Sequence, residues 1–109
     1  MSYNVKTITV FEKQAKRLIK KYASLKNELV ELFQELKENP EKGTAIGNNC
    51  YKIRISIASK SKGKSGGARI ITNFVVTEST VYLLSIYDKS EKDTLTSKEL
   101  KELLQYIPE

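Results

Sequence analysis

The sequence predicts one α+β domain spanning residues 1–109, with its elements in the order β-α-α-β-β-β-α. Two amphipathic helical stripes occupy the first third, runs of alternating or β-branched residues fill the middle, and a helix-start signature lies near the C-terminus. Together they describe a small antiparallel sheet with two N-terminal helices on one face and a C-terminal helix added. A chain of this length hides roughly two-thirds of its unfolded surface on folding, enough for one modest core.

Tyr3 to Val10 alternates and carries Val5, Thr7, Ile8, Thr9 and Val10, which suits a first strand. Phe11, Ala15, Leu18, Ile19 and Tyr22 then recur at helical spacing, with Lys13, Lys16, Arg17, Lys20 and Lys21 on the other side. After a break at Ala23-Ser24, where Ser24 can act as N-cap, Leu25, Leu29, Leu32, Phe33 and Leu36 repeat that spacing until Pro40 ends the helix. Tyr51, Ile53, Ile55 and Ile57 alternate with Lys52, Arg54, Ser56 and Ala58, giving a strand with one apolar and one polar face. Ala68 to Thr77 and Thr80 to Tyr87 read as two further strands joined by a short turn. The last helix starts at Thr96, with Glu99 completing a capping box and Leu95 facing Leu100 as a hydrophobic staple.

With 39% apolar residues, the chain is ordinary globular protein rather than disordered. It shows neither a leader-like N-terminus nor an apolar run approaching the ~20 residues of a membrane span, so a soluble, cytoplasmic protein without a membrane partner is expected. Cys50 is the lone cysteine and the chain has no histidine, which excludes an internal disulfide, a zinc site of the usual kind and a Cys/His nucleophile pair. Cys50 is expected to be a small hydrophobe at a strand start.

The net charge of +6 is concentrated. Between Glu41 and Glu78 there is no acid, while Lys42, Lys52, Arg54, Lys60, Lys62, Lys64 and Arg69 all fall there, and the rest of the chain is close to neutral. A patch of this kind is the footprint of a polyanion partner, the plain alternative being a solvated basic face. Within it, Lys60 to Arg69 looks like a phosphate-binding loop, and Gly63 to Ser65 supplies the end of the pattern G-x-x-x-x-G-K-S/T. The first glycine of that pattern is Ala58, and a strand follows rather than a helix, so a nucleotide site is excluded. The glycines suit a turn with unusual backbone angles, and Lys60, Lys62 and Lys64 become a basic tip able to contact RNA.

Strand parity sharpens the reading. If the more apolar sets face the helices, Lys52, Arg54, Arg69, Asn73, Ser85 and Tyr87 converge on one open face, which can bind a phosphodiester backbone while Tyr87 stacks on a base. Cleavage there would need a lysine as base, its pKa depressed by Arg54 and Arg69, with the arginines holding transition-state charge. From the residues alone, binding ranks above cleavage.

The segment Tyr51 to Val75, followed by Val81 to Leu104, resembles the toxins of the RelE/ParE superfamily, and Lys62 to Arg69 most resembles the HigB-like branch of RelE toxins. The resemblance implies a toxin of a type II toxin–antitoxin pair, an endoribonuclease that cuts mRNA in the ribosomal A site. No metal or other cofactor is used in that family, and the 2′-hydroxyl attacks the adjacent phosphate to leave a cyclic phosphate. It matches Lys52, Arg54 and Arg69 to the family's basic positions, places Lys89 near another, and leaves Tyr87 to take the place of a tyrosine where Leu95 cannot serve. It also implies an antitoxin partner, often of helix-turn-helix type, and a chain that is monomeric or held in an antitoxin complex. A gyrase-poisoning ParE-like toxin and a non-catalytic RNA-binding module are the alternatives.

Overall fold

The structure is a computed structural model that describes residues 2–59, 67–92 and 94–108. Its elements are β1 (Asn4–Thr7), α1 (Thr9–Lys21), α2 (Leu25–Glu38), β2 (Thr44–Gly47), β3 (Cys50–Ile55), β4 (Ala68–Val75), a short 3-10 turn (Val76–Glu78), β5 (Thr80–Asp88) and α3 (Ser97–Leu104). The strands form a single five-stranded sheet in the order β1-β5-β4-β3-β2. The chain leaves one edge through α1 and α2, reaches the far edge at β2, and folds back strand by strand until β5 lies beside β1. β1 and β5 consequently run parallel, and the other neighbours are antiparallel.

The sheet departs from expectation in two ways. The sheet is mixed rather than wholly antiparallel, because the helical hairpin carries the chain across the sheet and returns β5 in the direction of β1. β2 was not anticipated, since its four residues are all exposed and carry no alternating pattern. It is joined to β3 through Asn48 and Asn49, both left-handed at φ 55° and 60°, the backbone that a tight two-residue hairpin demands.

The N-terminal strand is shorter than its β-branched composition suggests. Ile8 is the last extended residue, at φ −107° and ψ 163°, and Thr9 and Val10 already belong to α1. Burying Phe11, Ala15 and Leu18 against the sheet outweighs the weak local preference of those residues. At the start of α2, Ser24 makes no side-chain cap. Its hydroxyl bonds Ser59 at 2.9 Å, and Glu28 accepts the Ala58 amide at 2.8 Å, so this end of α2 is tied to the chain after β3. At α3, by contrast, the anticipated box is complete: Thr96 Oγ1 accepts from the Glu99 amide and Glu99 accepts from the Thr96 amide.

Leu18, Leu25 and Leu36 from the helices and Ile70, Leu83 and Ile86 from the sheet are at or near zero exposure and form the centre of the core. Cys50 is fully buried at the first residue of β3.

Candidate functional site

Register decides which side chains share a face. Arg54 pairs with Arg69, and Arg69 with Tyr87, so these three form one row across β3, β4 and β5. The next row is Lys52, Ile71 and Ser85, and the one beyond it holds Cys50, Asn73 and Tyr82. All six residues expected to converge therefore lie on one face. A bulge between Ile71 and Thr72 on β4 gives β5 an extra residue, Leu84. This exchanges the parity of β5, so Leu83 and Val81 turn away from Ser85 and Tyr87, with which simple alternation would group Leu83.

The face is not open. α3 packs across part of it, and a cavity of about 150 Å³ remains between Lys52, Ile71 and Tyr87 on the sheet, Ile46 on β2, and Thr94 to Ser97 with Leu100 above. Arg54 stays exposed and Lys52 partly so, whereas Arg69, Asn73, Ser85 and Tyr87 are at most 7% exposed. Arg69 is held by its own strand, with Nη1 donating to the Ala68 carbonyl at 3.2 Å. Asn73 serves the hairpin: its amide nitrogen donates to the Asn48 carbonyl at 2.8 Å and lies 3.3 Å from the Cys50 sulfur. The amide nitrogen is thereby engaged within the hairpin. Burial pushes the Cys50 thiol pKa up, with the Asn73 contact opposing.

Beyond β5 the chain is anchored by Asp88, which is fully buried. It accepts from the Tyr22 hydroxyl at 2.6 Å and from the amide and hydroxyl of Ser90 at 2.9 and 2.7 Å. Lys89 follows at the start of this turn, and its amide donates to the Gly67 carbonyl at 3.0 Å. Gly67 has φ +63°, and a Cβ there would meet the Ile55 carbonyl oxygen at 2.2 Å, so only glycine fits. Sequence reading assigned Asp88 no part, although an Asp with Ser two residues later is a known turn-forming pair. Gln14 was missed as well. Its carbonyl accepts from the Ile86 amide and the Ser85 hydroxyl, both at 3.0 Å, closing the part of the β5 edge that β1 does not reach.

Surrounding charges hold the roof and the turn. Lys92 pairs with Glu99 at 2.7 Å, and this bond, with the Thr96 amide, keeps the Glu99 carboxyl below the usual glutamate range. Arg17 and Lys21 both reach Glu91, at 2.6 and 3.1 Å, with the same effect on Glu91. A separate groove of about 570 Å³ runs between α1 and α2 over Phe11, Ile19, Leu29 and Phe33, rimmed by Lys16, Lys20 and Lys26.

The tip residues Lys60, Lys62 and Lys64 lie outside the described residues. Among the described residues, no group of three or more His, Cys, Asp and Glu side chains is placed to hold a metal ion, and no helix is long and apolar enough to cross a membrane.

The fold matches solved toxins along nearly its whole length. A variant of E. coli RelE in the free state aligns with a TM-score of 0.60 at 20% identity, covering 99% of this chain and 100% of that one. A RelE variant in complex with an antitoxin RelB peptide aligns at 0.61 and 18%, covering 99% and 100%. The RelBE2 toxin–antitoxin complex from Mycobacterium tuberculosis aligns at 0.56 and 16%, covering 81% and 92%. At these identities the structures speak for the fold. The sequence itself matches the family described as RelE toxin of the RelE/RelB toxin–antitoxin system over residues 8–107, a span that takes in both the helical hairpin and the charged sheet face. This chain therefore belongs to the RelE family of toxins from toxin–antitoxin systems.

Proposed function

We propose that this toxin is a ribosome-dependent mRNA endoribonuclease that works without a metal and inhibits translation. The observation that carries the reading is the cross-strand row Arg54, Arg69 and Tyr87 with Lys52 beside it. In the reaction, the 2′-oxygen of the message attacks the adjacent phosphorus as its proton is taken, and the bond to the 5′-oxygen breaks, that oxygen taking a proton from solvent water, to leave a cyclic phosphate and a 5′-hydroxyl. Lys52 accepts the 2′-hydroxyl proton. The guanidinium groups of Arg54 and Arg69 face the non-bridging oxygens, whose charge grows in the transition state. Lys89, held by the Asp88 turn, and the lysines of residues 60–64 contribute phosphate contacts that position the message.

The cognate partner is an antitoxin, of helix-turn-helix type if this chain belongs to the HigB-like branch, as its segment from Lys62 to Arg69 suggests. It neutralises the toxin by covering the active face or by wrapping the protein and blocking entry to the ribosome. The groove between α1 and α2, apolar at its base and lined by three lysines against one acid, Glu12, suits an acidic amphipathic segment of that partner.

Induction in cells should arrest growth with cleavage of mRNA. Lys52→Ala and Arg54→Ala are the informative variants, because both side chains retain exposure and their removal leaves the core intact, unlike that of the buried Arg69. Growth arrest with intact mRNA and broken DNA would establish the gyrase-poisoning alternative instead. Harmless expression with salt-sensitive RNA binding would establish a non-catalytic module.

A further inference from the structure

Arg54 stands where two opposed environments meet. Its register puts it in the row of Arg69 and Tyr87 on the charged face. β2 pairs with β3 only as far as Thr44 opposite Lys52, so the outer edge of β3 is uncovered at Arg54. Arg54 also lines a cavity of about 330 Å³ whose other wall is α2, through Glu28, Glu31 and Glu35. The arginine is exposed, and among the described residues it has no hydrogen-bond or ion-pair partner.

The three carboxylates are unequally engaged. Glu35 pairs with Lys42 at 3.4 Å. Glu28 Oε2 accepts from the Ala58 amide at 2.8 Å and the Ser24 hydroxyl at 3.2 Å, while its Oε1 is buried and has no partner among the described residues. Glu31, one helical turn further along α2, is exposed and likewise has no partner among the described residues. A buried acceptor without a donor is unfavourable, and a guanidinium offers paired donors that match a carboxylate. We propose that Arg54 has a resting site in this cavity, against Glu31 and the open oxygen of Glu28, and that α2 thereby competes with RNA phosphate for the arginine. The proposal rests on the endoribonuclease reading for the phosphate contact, whereas the resting contact needs no RNA. A stray phosphate must displace the carboxylates by itself. A message held by Lys52 and Arg69 as well draws the arginine out. The competition is modest, because an exposed ion pair shifts an equilibrium by up to about fivefold.

Two readouts separate the resting contact from the phosphate contact. In the first, a fluorescent 2′-O-methyl RNA oligonucleotide, which lacks the attacking hydroxyl and stays whole, is titrated with the isolated toxin at low salt. The proteins are the wild type, Glu31→Gln, Arg54→Ala and the double variant. Glu31 and Arg54 are exposed, so all four are expected to fold, as circular dichroism would verify. Glu31→Gln should tighten binding about threefold when Arg54 is present and leave it unchanged when Arg54 is replaced by Ala. Glu38→Gln removes an exposed acid of the same helix that does not line the cavity, and its effect should be the same in both backgrounds. Tightening by Glu31→Gln that is equal with and without Arg54 would reveal only the general loss of a negative charge and would overturn the proposal.

In the second, the side-chain Nε–H signal of Arg54 is followed by NMR in isotopically labelled toxin without RNA. Glu31→Gln should shift this signal, and raising the salt concentration should move the wild-type signal toward its position in the variant. A signal indifferent to Glu31→Gln overturns the resting site. A signal that responds, in a toxin whose RNA affinity is undiminished by Arg54→Ala, would keep the resting site and discard the phosphate role of Arg54.

Discussion

At the scale of single residues, the site is held by groups that perform no chemistry themselves. Tyr22 donates to the buried Asp88 carboxylate at 2.6 Å, and Asp88 organises the turn that carries Lys89. Tyr22→Phe removes one donor from a buried charge and should cost about 1–3 kcal/mol in urea denaturation. Gly67→Ala should cost more than about 1 kcal/mol in the same assay, because the added Cβ meets the Ile55 carbonyl in a left-handed backbone. The convergence of Lys52, Arg54, Arg69 and Tyr87 was legible in the sequence, since alternation fixes the face once a strand is recognised. The work of Asp88, Gln14 and Asn73 was not legible, because it depends on which distant backbone groups are left for a side chain to satisfy.

At the scale of elements, α3 is the part whose role changed most between sequence and structure. Its capping box was readable to the residue, yet nothing in its buried residues, Leu100 and Leu103, says that it roofs the charged face rather than the helical one. Thr96→Ala should destabilise the protein by about 1 kcal/mol, measured by thermal or denaturant melting. Lys92 lowers the Glu99 pKa in the folded state, so the contribution of this carboxylate is full above the ordinary glutamate range and is lost as pH falls through it. The melting-temperature difference between wild type and Glu99→Gln should accordingly shrink from pH 7 toward pH 3, and a difference independent of pH would show that the Lys92 pair contributes nothing. β2 escaped sequence reading for a related reason: an exposed edge strand of four residues has no buried face to imprint a period on its composition. The bulge that reverses the parity of β5 was equally hidden, because one extra residue leaves no mark in a strand buried on both faces.

At the scale of the whole molecule, charge and fold act together. The helical hairpin supplies the core, so Leu25→Ala should cost about 2–5 kcal/mol without altering the charged face. Carrying the hairpin from one sheet edge to the other leaves the opposite face of the sheet to the charged row and to α3, which packs across part of it. If about four cations contact a single strand, RNA affinity should fall with salt at a log–log slope near −3. The central claim is that the Lys52 and Arg54 face cuts message on the ribosome, and the direct measurement is cleavage of a defined mRNA on purified ribosomes, with the chemical ends of the products identified. Wild-type toxin is predicted to yield a 2′,3′-cyclic phosphate and a 5′-hydroxyl, and folded Lys52→Ala to lose that cleavage by orders of magnitude. Undiminished cutting by Lys52→Ala, or an mRNA left whole by the wild type, would contradict the account.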